Sequence, residues 1–190
     1  MPQTTKPEAV DVEIRRTLDI SLLAQLDEER ASSEDGLEVN HAYIDVRGYG
    51  FEDGELLLSH EADFLDDLDK AGWTTDEAEE IIDDFLSNAF ELSPFDAGMG
   101  GAVIALSVAG AIPISSCNGG TIGQSSHAEA LPSILFAASK DIKPTAIYDA
   151  AKEADLGLIP NGEFAELYAD HVLKFHRFAQ ILLENLRASK

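Results

Sequence analysis

Ala78, Ile81, Ile82, Phe85, Leu86, Ala89 and Phe90 recur at i, i+3, i+4 and i+7 spacing, with acidic residues between them. That pattern predicts an amphipathic helix whose solvated face carries Glu79, Glu80, Asp83 and Asp84. Thr74 and Glu77 have the spacing of a capping box at its start. Upstream the pattern is less uniform. Ile14, Leu18, Leu22 and Leu26 recur every four residues, while Val10, Val12 and Ile14 alternate. The longer period predicts a helix over about 13–30, after a disordered leader at 1–9. Residues 31–40 read as a polar loop. Alternation over His41–Arg47 predicts a strand, Glu52-Asp53-Gly54 a turn, and Glu55–Leu58 a strand pairing back. Ser59 is placed to cap a helix over 60–71 that Gly72 ends.

Ser93-Pro94 breaks the pattern, and the lobe boundary is placed there: an acidic, mostly helical lobe at 1–92 and an α+β lobe at 93–190. Asp96 caps a predicted helix over 97–109. Its Gly98, Gly100 and Gly101 each cost about 1 kcal/mol relative to alanine, so they predict close approach of another backbone or a ligand. Ile112–Cys117 alternates and predicts a short strand. Pro113 lacks an N–H, which suits an edge. Leu131–Ala138 reads as a buried strand, and Lys143-Pro144-Thr145 opens a helix to about 154. Leu156–Ile159 and Phe164–Ala169 flank Pro160-Asn161-Gly162, a hairpin signal. The last helix, over 171–188, carries the stripe Phe175, Phe178, Ala179, Leu182 and Leu186. Val172, Ile181 and Leu183 widen it. The fold class is therefore α+β: α-β-β-α-β-β-α after the acidic part, with an antiparallel sheet covered by helices on one face.

Charge changes the picture of the first half. The 190 residues carry a formal net charge of −23. Residues 1–91 hold 26 acidic and 6 basic residues, whereas 140–190 hold 8 and 7. A surface of that sign repels nucleic-acid phosphates and anionic lipid, so no direct nucleic-acid binding is expected. It suits a basic protein partner. No run of eighteen apolar residues marks a membrane span. The start of the chain has no signal-peptide core. One cysteine fits a reducing compartment, and a cytoplasmic location is expected.

Candidate chemistry concentrates in Ile112–His127, I-P-I-S-S-C-N-G-G-T-I-G-Q-S-S-H. Gly119, Gly120 and Gly123 permit left-handed backbone and a nest of N–H groups that would hold an anion. Cys117 stands at the mouth of that loop, where a thiol ionises more readily. His127 is ten residues on. Cys117 as nucleophile and His127 as base would give a small enzyme. Ser115, Ser116, Asn118, Gly119 and Gly120 would give a ligand-binding loop. No metal site is expected. His171 and His176 do not share a helix face, and Glu80, Asp83 and Asp84 read as solvated. No cofactor is implied.

The run A-L-S-V-A-G-A-I-P-I-S-S-C-N-G-G, then His127-x-Glu129-x-x-Pro132 and a hairpin ending in Tyr168-Ala169-Asp170, resembles a family of bacterial proteins over about 97–180. That resemblance implies no activity. Ser116-Cys117-x-Gly119 is also similar to the Ser-Cys-x-Gly motif of the tRNA wybutosine-synthesis methyltransferase family. The likeness spans four positions. The basic residue that follows the glycine in that family is Gly120 here, so the resemblance implies fold and not activity.

Three functional classes follow. The first is a binding or interaction protein that uses the 115–127 loop and the acidic lobe. The second is the Cys117/His127 enzyme, and the third an acidic nucleic-acid mimic or inhibitor. The wide apolar face of the last helix predicts a homodimer, since an exposed patch on so acidic a chain would be a liability.

Overall fold

The computed structural model describes residues 6–26, 46–88, 95–120, 122 and 129–189. Among them are five α-helices: α1 (Phe51–Ala71), α2 (Asp76–Asn88), α3 (Gly100–Val108), α4 (Pro144–Glu153) and α5 (Leu173–Ala188). Four strands complete the set: β1 (Ala111–Cys117), β2 (Ser133–Ala138), β3 (Gly157–Asn161) and β4 (Phe164–Tyr168). The order α3-β1-β2-α4-β3-β4-α5 is the α-β-β-α-β-β-α predicted from periodicity. The class is α+β.

The sheet is antiparallel, in the order β1-β2-β4-β3. Ser115, Leu135, Glu166 and Ile159 lie in one row across it. Pro113 sits in edge strand β1, beside an irregularity between Pro113 and Ser115, where a missing N–H is tolerated. Alternate residues Ile134, Phe136, Leu158, Ala165 and Leu167 are fully buried. They join Ile147 of α4, Ile104 of α3 and Phe175 and Phe178 of α5 in one core. Leu57, Leu58, Phe64 and Leu68 of α1 belong to the same cluster.

The predicted strand at 55–58 and the cap at Ser59 give way to one helix over Phe51–Ala71. Its start is fixed by Asp53, whose carboxylate accepts from the Gly50 N–H at 2.6 Å. Gly54, read as a turn, is buried because a Cβ there would stand 3.1 Å from Leu183. The buried stripe is Gly54, Leu57, Leu58, Glu61, Phe64 and Leu68. Glu61 interrupts its apolar pattern and hides the period. The Glu61 side chain is 1 % exposed, and its Oε1 accepts from the Gly101 N–H at 3.1 Å. His176 Nδ1 lies 3.6 Å from Glu61 Oε2, so the pair joins α1, α3 and α5. The glycines of α3 serve the close approach expected of them. A Cβ on Gly100 would meet Leu57 at 2.8 Å, and one on Gly101 would meet Glu61 and Leu58 at 2.7 Å.

Gly72 ends α1 in the left-handed conformation at φ +85°, as expected. The cap of α2 is Thr75 and not Thr74: its hydroxyl accepts from the Ala78 N–H at 3.1 Å. Asp96 does not cap α3, because its Oδ2 accepts from the Asn118 N–H instead. Of the strand expected over 41–47 only Val46 and Arg47 are described, and neither is in a strand; the lobe boundary at 93–94 lies outside the described residues.

The predicted helix over 13–30 is absent from the described part, residues 13–26. The chain there is extended, apart from one 3-10 turn at Ile20–Leu22. The two-residue period prevails because an edge strand is available to pair with. The Leu158 N–H donates to the Arg15 carbonyl at 2.7 Å, and the Thr17 N–H donates to the Leu158 carbonyl at 3.0 Å. Tyr168 secures this strap. Its hydroxyl accepts from the Arg15 N–H at 2.9 Å and donates to the Glu13 carbonyl at 2.8 Å. The ring lies so close over Gly157 that a Cβ there would be 2.1 Å from it. Residues 6–9, expected to be part of a disordered leader, and Val10 after them are also tied down. Lys6 pairs with Asp69 at 2.8 Å, and the Val10 N–H donates to the Asp170 carbonyl at 2.8 Å.

The apolar surplus of α5 is covered within the chain. Val172 is 0 % exposed, Leu183 3 % and Ile181 8 %. Among the described residues no helix is long and apolar enough to cross a membrane.

Candidate functional site

The loop after β1 is built around Asn118, which is 1 % exposed. Its amide Nδ2 donates to the carbonyls of Ile122 at 2.8 Å and Ala97 at 3.3 Å. Its Oδ1 accepts from the Gly120 N–H at 2.9 Å. Gly119 and Gly120 are left-handed, at φ +70° and +67°, which closes this turn. The Gly119 N–H faces Cys117 Sγ at 3.4 Å. These N–H groups, expected to form an anion nest, are thus used inside the loop. Cys117 is 4 % exposed. Ser115 is exposed and Ser116 half-buried. Both line a hollow of about 200 Å³ on the sheet together with Cys117, Glu129, Ser133, Asn161 and Glu166, so three of the predicted site residues share it. His127 and Gly123 lie outside the described residues. Among the described residues no group of three His, Cys, Asp or Glu side chains is placed to hold a metal ion.

A larger cavity opens elsewhere. Four helix ends converge on it: the start of α1, the end of α3, the start of α4 and the end of α5. The cleft measures about 1350 Å³. Tyr49, Phe51, Val108, Ile142 and Leu186 give it apolar walls. Ser107, Thr145 and Asn185 add polar atoms, and Arg47, Lys143 and Lys152 add positive charge. A second cavity of about 800 Å³ shares Arg47, Ser107, Val108 and Lys143 and adds Lys140 and Ser139.

The backbone that places these residues is tightly specified. Gly110 follows α3 at φ +78°, and a Cβ there would be 2.5 Å from the Asp141 carbonyl. Only glycine lets the end of α3 meet the β2–α4 turn this closely. The Ser139 hydroxyl donates to the Gly110 carbonyl at 2.6 Å and accepts from the Asp141 N–H at 3.1 Å. The Lys143 N–H donates to the Ala109 carbonyl at 2.8 Å, fixing the start of α4. Pro144 is the first residue of α4 and has no N–H to satisfy. The N–H groups of Thr145 and Ala146 follow, in a first turn that offers them no acceptor of its own.

Most other cations of the chain are committed to carboxylates. Asp155 accepts from Lys174 and Arg16, each at 2.8 Å. These hydrogen bonds, from Lys174 first and Arg16 second, hold its carboxyl below the usual aspartate range. Burial alone would lower the Lys174 ammonium, but its bonds to Asp155 and Asp170 outweigh this and raise it. The Arg16–Asp155–Lys174 cluster therefore clamps the strap to α5 across the end of α4.

Sequence reasoning did not find the cleft, because its walls come from residues 47 to 189. The available signals were Lys143-Pro144-Thr145 and three lysines between 140 and 152 in an acidic chain. The chain matches no protein-family model, no curated protein and no solved structure.

Proposed function

We propose that this is a binding protein whose ligand occupies the cleft between the starts of α1 and α4 and the end of α5. The observation that carries this reading is the cleft itself. It is a cavity of about 1350 Å³ with apolar walls and a few convergent polar groups. Apolar surface of this kind supplies affinity, and the polar and charged groups around it, Asp149 and Glu153 included, fix orientation. The site stands on helix termini anchored by Gly110, Ser139 and the Lys143 N–H, so the backbone N–H groups at the start of α4 are held in place before a ligand arrives.

A fragment screen by NMR on the ¹⁵N-labelled protein tests it. Hits are expected to shift the amides of Phe51, Ile142, Ala146 and Leu186. Shifts confined to the hollow beside Ser115, Ser133 and Glu166 would overturn the assignment.

A further inference from the structure

Basic side chains are scarce in this chain, 13 against 36 acidic ones. Most of those described hold a carboxylate. Lys6 pairs with Asp69, Arg15 with Glu13 and Arg16 with Asp155. Lys70 pairs with Asp66, Lys174 with Asp155 and Asp170, and Arg187 with Glu55. Lys140, Lys143 and Lys152 differ, as does Arg177, which stands on α5 and lines neither cavity. Among the described residues they make no ion pair. Carboxylates are nevertheless at hand, since Asp149 and Glu153 line the cleft and Asp141 lines the adjoining cavity. In a chain this acidic, lysines without carboxylate partners spread over two adjoining cavities, Lys143 and Lys152 on the cleft and Lys140 and Lys143 on its neighbour, leave a local positive potential inside a negative field.

We propose that the cleft takes an oxyanion, a carboxylate or phosphate group, at the junction where Arg47 and Lys143 line both cavities. The proposal rests on the cleft being the binding site. The rest of the ligand lies along Tyr49, Phe51, Ile142 and Leu186. Lys140 stands on the far side of the junction and Lys152 along α4. The first turn of α4 adds the positive end of its dipole beside Lys143. An ammonium binds an oxyanion as a point charge and tolerates either geometry, so lysines here select charge more than shape. The acidic remainder of the surface repels anions elsewhere, which restricts them to this opening.

Three probes test this by NMR titration of the full chain: inorganic pyrophosphate, citrate and a neutral aromatic fragment. Either anion is expected to shift the Lys143, Thr145 and Ala146 amides saturably, less so as salt rises. Lys143→Glu should weaken that binding by about tenfold or more, the range for one charged hydrogen-bonding partner. If Lys143→Glu disturbs the spectrum outside the cleft, Lys140→Glu replaces it. Tighter pyrophosphate binding would identify a phosphate ligand and tighter citrate binding a carboxylate; both support the oxyanion. Binding of the neutral fragment in the cleft, with these amides unmoved by either anion, would overturn the oxyanion and leave the binding site standing. An anion affinity unchanged in both variants would overturn it too. No shift there with any of the three probes would overturn both.

Discussion

The loop after β1 and the cleft at the start of α4 put polar groups to opposite uses. In the loop, Asn118 is buried and both its amide atoms are bonded within a few residues of Gly120 and Ile122 or across to Ala97. Even Asp96 is drawn in, accepting from the Asn118 N–H at 3.1 Å. In the cleft and the cavity that adjoins it, Lys140, Lys143 and Lys152 are exposed and hold no carboxylate among the described residues. The loop has the residue types of a site, with a thiol, serines and glycines. The cleft has ordinary surface types. What marks a binding site is bonding capacity that the fold does not consume, and residue type alone does not report it.

The sharpest break of this contrast is Asn118→Ala. It leaves two carbonyls and one N–H without their partner in a buried turn, at about 1 kcal/mol or more each. A loss of about 3 kcal/mol is expected, read as a shift in denaturant midpoint with an unchanged slope. A loss under about 0.5 kcal/mol, the range of a plain surface change, would return Asn118 to the candidates for ligand contact.

Tyr168→Phe removes the hydroxyl that accepts from Arg15 and donates to Glu13 while keeping the ring over Gly157. About 1–2 kcal/mol is expected from two such bonds, with faster amide exchange along the strap. Unchanged exchange at Thr17 would mean the hydroxyl does not hold the strap.

Cys117 sharpens the contrast by chemistry. A thiol reagent should label it only as the protein opens, since it is 4 % exposed. Prompt labelling of the native protein would restore the loop as a reactive site.

The clamp at Asp155 gives a smaller, pH-dependent effect. Its carboxyl is held below the usual range by Lys174 and Arg16. The stabilisation is therefore complete above the unfolded value, about pH 3.9. It is lost as pH falls through the lowered native value. Asp155 is mostly exposed, so the effect is local. Thr17 and Leu18, whose N–H groups donate to Leu158, should lose protection there before the core does. Simultaneous loss with the core would contradict this.

The smallest effect belongs to Lys143→Gln, expected to leave stability within about 0.5 kcal/mol. A larger loss would show that the fold does use this side chain.

The α3-to-α5 order was legible because most elements there keep to one period, α3 is an apolar run buried on every side, and Gly or Pro punctuates the joins. Two elements upstream were not. From Val10 to Leu26 two periods overlap, the alternation of Val10, Val12 and Ile14 and the four-residue spacing from Ile14 on, and the free edge of β3 decides between them. Glu61 sits in the buried stripe of α1, and its Gly101 and His176 partners are 40 and 115 positions away. The cleft was illegible for a related reason. Arg47 and Lys143 line the same two cavities although 96 positions separate them, and Gly110 holds the end of α3 against the β2–α4 turn beside them.

Native-state hydrogen exchange, with and without saturating pyrophosphate, compares the two regions in one experiment. Asn118 and Gly120 should be protected before pyrophosphate is added, because their N–H groups are already bonded to Asp96 and to Asn118 Oδ1. That protection should not change. Thr145 and Ala146 should exchange fast in the free protein and slow down on binding. Protection that rises at Asn118 and Gly120 while Thr145 and Ala146 stay fast would place the ligand in the loop and contradict the account.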